Sequence, residues 1–400
     1  MSVLPVTRPV CFPSPRKGDA RHLQWGPWRV EADGRLKHHP AMDRPAGDIS
    51  REELQLAARN AGMPQEALAY DLTPIGLHYL LIHYDVPEVD PGAWRLHVDG
   101  AVGEELELSL EDLQRRERRA VAVTMECAGN GRTLYEPRAI SQPWLLDAVG
   151  TAEWTGTPLL PLLEEAGVDD DAMEVVFTGL DRGIEGGEEQ AYARSLPLEE
   201  VRLDELLLAD EMNGTPLLPQ HGAPMRLVVP GWYGMASVKW LSRITPVRAP
   251  FDGYQNRAGC RFRRTEDEEG EPVTRMVPRS LMAPPGIPEF LTRSRHLAPG
   301  PVTLRGRAWS GWGRIERVEV STDGGATWSD ARIDRRGSSD RAWVGWSFDW
   351  DASEGEHVLS SRATDASGRM QPDEAEWNLG GYANNGVQRV PVTVSGAVGG

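Results

Sequence analysis

The stretch Val121-Ala122-Val123-Thr124-Met125-Glu126-Cys127-Ala128-Gly129-Asn130-Gly131-Arg132 organises the reading of the whole chain. Its first half has the alternating, β-branched character of a strand. Ala128-Gly129-Asn130-Gly131 then reads as a turn, because two glycines and an asparagine tolerate positive φ. One cysteine is thus held at the end of a strand, beside a loop, with an arginine five residues on. Such a placement presents a thiolate to a bound electrophile or metal. Free cysteines are commonly buried and inert, and this window alone favours that bland reading.

The 400 residues allow two or three domains with a sizeable core. A formal net charge of -17 argues against a general nucleic-acid binder, which needs a basic face, and suits a chain that docks a basic partner. The 14 tryptophans read as large core residues in a chain poor in Phe and Tyr. Cys11, Cys127 and Cys260 show neither CxxC pairing nor zinc-finger spacing, so a reducing compartment is the expectation. Met1 to Gly18 has no apolar core of a signal peptide and no twin-arginine pair, which points to a cytoplasmic location. No apolar run is long enough for a membrane span.

Residues 1–50, rich in Pro, Arg, His and Gly, read as an extended arm. Ser50 with Glu53 three residues on is a capping box that starts a helix. His78 to Asp85, Trp94 to Gly100, Met173 to Gly179, Leu206 to Ala209, Pro224 to Gly231 and Val238 to Ile244 read as strands. Thr157 to Gly167 reads as a helix with a Thr N-cap, Pro at N1 and a Gly stop. Strands and helices mix without a βαβ period, so residues 51–290 are expected to form an α+β domain. Pro284-Pro285-Gly286-Ile287-Pro288 is a stiff connector. Beyond it, in 291–400, short alternating strands separated by turns such as Asp323-Gly324-Gly325 predict an all-β, immunoglobulin-like sandwich.

Three chemistries stay open for Cys127. A Cys/His nucleophile needs a base such as His83 or His221. A metal held by one thiolate must bring its other ligands from a cofactor, because the histidines are scattered. The third is the inert core cysteine. Arg226 and Lys239 lie in apolar stretches, His221 stands beside a flexible turn, and Asp181 follows Gly179-Leu180. Each taken singly reads as a salt bridge or a snorkelling side chain. Together, two cations and a histidine suggest a phosphate pocket, although no GxGxxG or P-loop is present.

Several motifs carry a resemblance. Glu126-Cys127-Ala128-Gly129-Asn130-Gly131-Arg132, Trp154-Thr155-Gly156, Gly179-Leu180-Asp181, Glu211-Met212-Asn213-Gly214, the His221-to-Gly231 stretch and Val238-Lys239-Trp240 resemble the sulfite oxidase family of molybdenum enzymes. Ala308-Trp309-Ser310-Gly311, Ser321 to Trp328 and Trp377-Asn378-Leu379 resemble its C-terminal dimerisation domain. The resemblance implies a molybdopterin-binding domain and a molybdenum bound by a pyranopterin dithiolene, with Cys127 as the protein thiolate on the metal. It implies that His83, Asp181, His221, Arg226, Ser237 and Lys239 hold the pterin and its phosphate, and that Arg132 faces the substrate. The implied reaction is oxygen-atom transfer, sulfite to sulfate, in a homodimer. No haem domain is recognisable, so electrons are expected to leave to an external acceptor such as a cytochrome. Reduction of an S- or N-oxide at the same metal is the alternative, and a non-catalytic cofactor-binding module the third reading.

The resemblance also exposes departures. Leu81 and Gly380 stand where the animal and plant enzymes are expected to carry arginines. Their active-site tyrosine falls at Cys260, or at Phe262 with an insertion, and Tyr254 is out of register. Each lost charge-assisted hydrogen bond costs roughly 1.5–3 kcal/mol, so sulfite meets fewer fixed charges unless Arg257, Arg261 or Arg314 serves instead.

Overall fold

A computed structural model describes residues 28–30, 36–38, 49–335 and 339–396. The chain divides into two compact units, Met1–Arg44 and Pro45–Gly400. Within the first, Trp28–Val30 pairs antiparallel with Leu36–His38. Apart from residues 49–50, the rest of the expected arm, Cys11 included, lies outside the described residues.

The second unit begins with the helix Arg51–Arg59, capped as its sequence predicts. Ser50 Oγ accepts the Glu53 N–H (3.1 Å) and Glu53 accepts the Ser50 N–H (2.8 Å). Two five-stranded sheets follow. In one, Arg119–Glu126, Val149–Pro158, Leu207–Met212 and Thr215–Pro216 lie side by side, and Arg226–Val228 also pairs with Leu207–Met212. In the other, Leu106–Ser109, Arg95–Val98, Leu241–Val247, Glu174–Glu185 and Glu188–Pro197 follow in order, with one parallel pair, Arg95–Val98 beside Leu241–Val247. The helix Leu159–Ala166 buries Leu159, Leu162, Leu163 and Ala166 in the core that these sheets share with Phe177, Leu227 and Ile244. It stops at Gly167, whose φ of 66° suits glycine.

Several expected elements shift. His78 to Asp85 is not a strand beyond a single bridge of Leu80 to Ala61: the next backbone groups are claimed by side chains, Lys239 Nζ on Leu81 O and Asn60 Oδ1 on the Ile82 N–H. The predicted strand from Val238 starts only at Leu241, because Trp240 sits at φ 48°. Asp181 lies inside the long strand Glu174–Glu185, at a register shift, rather than at its end. Thr157 does not cap the helix; its hydroxyl donates to the Leu113 carbonyl (2.8 Å).

The remainder is all β. Arg279–Met282, Gly300–Trp309, Val344–Ala352 and Arg332–Asp334 form one sheet. Ile287–Pro288, Arg295–Leu297, Val390–Val394, Gly355–Asp365, Ile315–Ser321 and Ser329–Asp330 form another. Leu304, Ala308 and Trp346 of the first share a core with Val318, Leu359 and Val392 of the second. The α+β part followed by a two-sheet part matches the expected fold class. Arg279–Met282 joins the C-terminal sheet from the N-terminal side of residue 290, so β pairing across the connector starts earlier than the composition indicates.

Candidate active site

The strand Arg119–Glu126 delivers Cys127 to a fixed place. The Cys127 N–H donates to the Ala148 carbonyl (2.9 Å), and the Cys127 carbonyl accepts the Asn130 N–H (2.9 Å). Asn130 braces the turn with its side chain: Nδ2 donates to Glu126 Oε1 (2.9 Å), and Oδ1 accepts the Ala148 N–H (3.0 Å). Of the three residues expected to use positive φ, only Gly131 does, at 86°. Gly129 is needed for space, since a Cβ there would lie 2.7 Å from the Arg132 guanidinium.

All eight residues selected from the sequence, His83, Cys127, Arg132, Asp181, His221, Arg226, Ser237 and Lys239, line one cavity of about 430 Å³. Its cationic side is short of counter-charge. Arg226 donates to the carbonyls of His221 (3.1 Å) and Ser237 (3.2 Å) and lies over Trp154 (4.6 Å). Burial pushes its pKa down to about 10. Burial and then the Arg226 charge bring Lys239 down to about 7. Burial, then His78 and the two cations, bring His221 down to about 3. Burial likewise holds His78 at about 4. Neither Arg226 nor Lys239 has an ion-pair partner among the described residues. Arg226 Nε, His78 Nε2 and Asp181 Oδ1 are buried without hydrogen-bond partners among the described residues. Buried polar atoms are normally satisfied, so this wall fits a polar, anionic ligand such as the phosphate of a pterin.

The thiol side differs. Burial pushes Cys127 up to about 11, with the Arg132 charge opposing. Among the described residues no group of three or more His, Cys, Asp or Glu could hold a metal ion. A metal at Cys127 therefore has to arrive with its own ligands. Arg132 is held by Nε on the Gly380 carbonyl (2.9 Å) and Nη1 on the Gln142 carbonyl (3.3 Å), and its Nη2 has no acceptor among the described residues.

His83 belongs to a cluster that sequence reasoning missed. Glu185 Oε2 accepts from Gln255 Nε2 (2.7 Å), the His83 ring (2.9 Å) and the Tyr84 hydroxyl (3.0 Å). Burial works to raise Glu185, but the His83 and Gln255 hydrogen bonds outweigh it and hold the carboxylate low. Leu81 and Cys260 line the cavity, so no arginine or tyrosine stands at those positions. Gly380 supplies only its carbonyl. Arg257, Arg261, Arg314, Tyr254 and Phe262 are not among the residues that line this cavity. A phenol is nevertheless present beside Cys260, on Tyr382, which sequence reasoning passed over although it follows the Trp377-Asn378-Leu379 motif by three residues.

Residues 83–255 match the oxidoreductase molybdopterin binding domain, and residues 274–395 match the Mo-co oxidoreductase dimerisation domain. The chain is 36% identical over 380 residues to the sulfite oxidase of Gallus gallus, covering 87% of this chain and 80% of that one. It is 36% identical over 363 residues to the mitochondrial sulfite oxidase of Homo sapiens, covering 84% of this chain and 64% of that one, so it spans somewhat less than two thirds of the human protein. A nitrate reductase [NADH] of Arabidopsis thaliana is 32% identical over 82% of this chain and 39% of its own length. Among solved structures, the sulfane dehydrogenase SoxCD of Paracoccus pantotrophus superposes with a TM-score of 0.73 at 27% identity, over 95% of this chain and 100% of that one. With both domain types present in order, and a relative covered over most of its length, this chain belongs to the sulfite oxidase family.

Proposed function

We propose that this protein is a molybdenum-dependent oxidoreductase that oxidises a small sulfur oxyanion, sulfite foremost, and passes the electrons to a separate acceptor. The observation that carries the reading is the convergence of one half-buried thiol, one guanidinium with a free edge and a cationic wall without ion-pair partners among the described residues on a single cavity. Arg226, Lys239, His221 and Ser237 would hold the phosphate side of the pyranopterin, with Asp181 and His83 on the pterin, and Cys127 would be the protein ligand to molybdenum. When bound, the group supplies oxygen-atom transfer and two-electron redox chemistry. Arg132 attracts the substrate anion and orients it with its unshared N–H groups. The match of residues 274–395 to the dimerisation domain supports a homodimer.

Purified protein from a cofactor-competent host is expected to carry one molybdenum per chain and to reduce an artificial acceptor when given sulfite. A Cys127→Ser variant should lose that turnover; unchanged turnover would rule out Cys127 as the ligand. The absence of arginines at Leu81 and Gly380 favours a second reading, in which the substrate is a less charged sulfur compound, in keeping with the sulfane dehydrogenase likeness. Rates with sulfite, sulfane donors, sulfoxides and nitrate on one sample separate these from S- or N-oxide reduction.

A further inference from the structure

We infer that Tyr382 is a substrate-binding residue, its phenol and the Arg132 guanidinium forming a two-donor seat for the oxyanion. This rests on the sulfur-oxyanion reading above. Tyr382 and Arg132 line the same cavity as Cys127, and the Arg132 guanidinium carbon lies 5.1 Å from the Tyr382 ring centroid. The Tyr382 oxygen accepts the Cys260 N–H (3.3 Å), so its own proton is left to donate, and that proton has no acceptor among the described residues. Two other phenols in the cavity are already committed: Tyr84 donates to Glu185 (3.0 Å) and Tyr192 to the Met235 carbonyl (2.9 Å). Burial, with Cys260 adding to it, pushes Tyr382 up to about 12, which keeps it a protonated donor at neutral pH.

The placement is built rather than incidental. Asn378 clamps both backbone ends of Tyr382, accepting its N–H on Oδ1 (2.9 Å) and donating Nδ2 to its carbonyl (2.8 Å). The next residues are tied to the cysteine turn, the Ala383 N–H to the Ala128 carbonyl (2.7 Å) and Asn384 Nδ2 to the Gly131 carbonyl (2.9 Å). The ring also explains Gly380. A Cβ on residue 380 would lie 2.2 Å from Tyr382 Cε2, so a side chain at 380 and this position of the phenol exclude each other. The chain carries a neutral donor from 382 where a side chain from 380 has no room. The seat therefore offers one fixed positive charge and one neutral hydrogen bond, from an element that closes over Cys127 from the far end of the sequence.

The test uses Tyr382→Phe, which keeps the ring over Arg132 and removes only the hydroxyl, and Gly380→Ala, which crowds the ring. In the loaded enzyme, Tyr382→Phe should raise KM for sulfite and the inhibition constant of inorganic sulfate about tenfold each, the loss of one hydrogen bond to a charged group, with kcat changed far less. Gly380→Ala should shift both in the same direction. Calorimetric titration of the molybdenum-loaded protein, in which the cofactor fills the cationic wall, with inorganic sulfate should show the same weakening in both variants, with unchanged circular dichroism for Tyr382→Phe. Equal sulfate affinity in wild type and Tyr382→Phe, or no sulfate binding by the wild type, overturns the inference. A wild type that binds sulfate through Tyr382 yet never oxidises sulfite sinks the proposed reaction and leaves the seat standing.

Discussion

Lys239 ties the cavity to pH through one side chain. Its Nζ donates to the carbonyls of Leu81 (2.7 Å) and Gln220 (3.1 Å) and lies 4.4 Å from the Trp240 ring centroid. Burial and then Arg226 lower its pKa from 10.5 to about 7. The unfolded chain keeps this proton up to the higher value and the folded chain only up to the lower one. Between them the unfolded state holds more protons, so stability rises with pH. The melting temperature of the cofactor-free protein should therefore carry a component that climbs from pH 7 toward 10, and Lys239→Met should remove it; identical pH profiles would contradict the burial argument. The sequence marks Lys239 as a cation in apolar surroundings. It does not show that the neighbouring charge is another cation, because Arg226 reaches it only through the fold.

At the level of the element, the cysteine strand and its turn behave as one rigid piece. Gly131 adopts φ 86°, and a Cβ there would also lie 3.1 Å from Asn384. Gly131→Ala should cost about 1–2 kcal/mol for the left-handed backbone alone, measured by urea denaturation, with a further loss if Asn384 is pushed off the Gly131 carbonyl. The strand was legible because Val121 to Thr124 are β-branched or small in alternation, and the turn because of its glycines. Asn130 was legible as a turn residue but not as the side-chain brace it is, since Glu126 and Ala148 are its partners only in the folded chain. The stretch from His78 misleads for a related reason: its apolar residues suit a strand, yet Asn60 and Lys239 take up backbone groups that a sheet would have used.

Across the whole second unit, the cysteine strand is anchored to the C-terminal sheets through a buried charge. Glu126 and Arg279 are both fully buried and approach to 2.9 Å, although the Arg279 Nε–H does not point along that line and the attraction is Coulombic. Trp309 Nε1 donates to Glu126 Oε2 (2.8 Å), and the Trp343 N–H donates to Thr124 Oγ1 (2.7 Å). Arg279→Met leaves the Glu126 carboxylate buried without its cation and should destabilise the protein by about 3–5 kcal/mol. Adding Glu126→Gln should recover much of that loss, and guanidinium denaturation of the three variants checks it. Residue types and local order in the sequence determined the fold class, the capped first helix, most C-terminal strands and eight of the residues that line the cavity, because periodicity, turn chemistry and out-of-place charges are local signals. Only the tertiary structure decided that those residues share one cavity, that Arg226 and Lys239 have no ion-pair partner among the described residues, and that Tyr382 stands beside Arg132. Those facts depend on contacts between residues as much as 250 positions apart, such as Arg132 with Gly380, |i−j| = 248. Pairings of that range are fixed by how the sheets pack, and no local pattern encodes them.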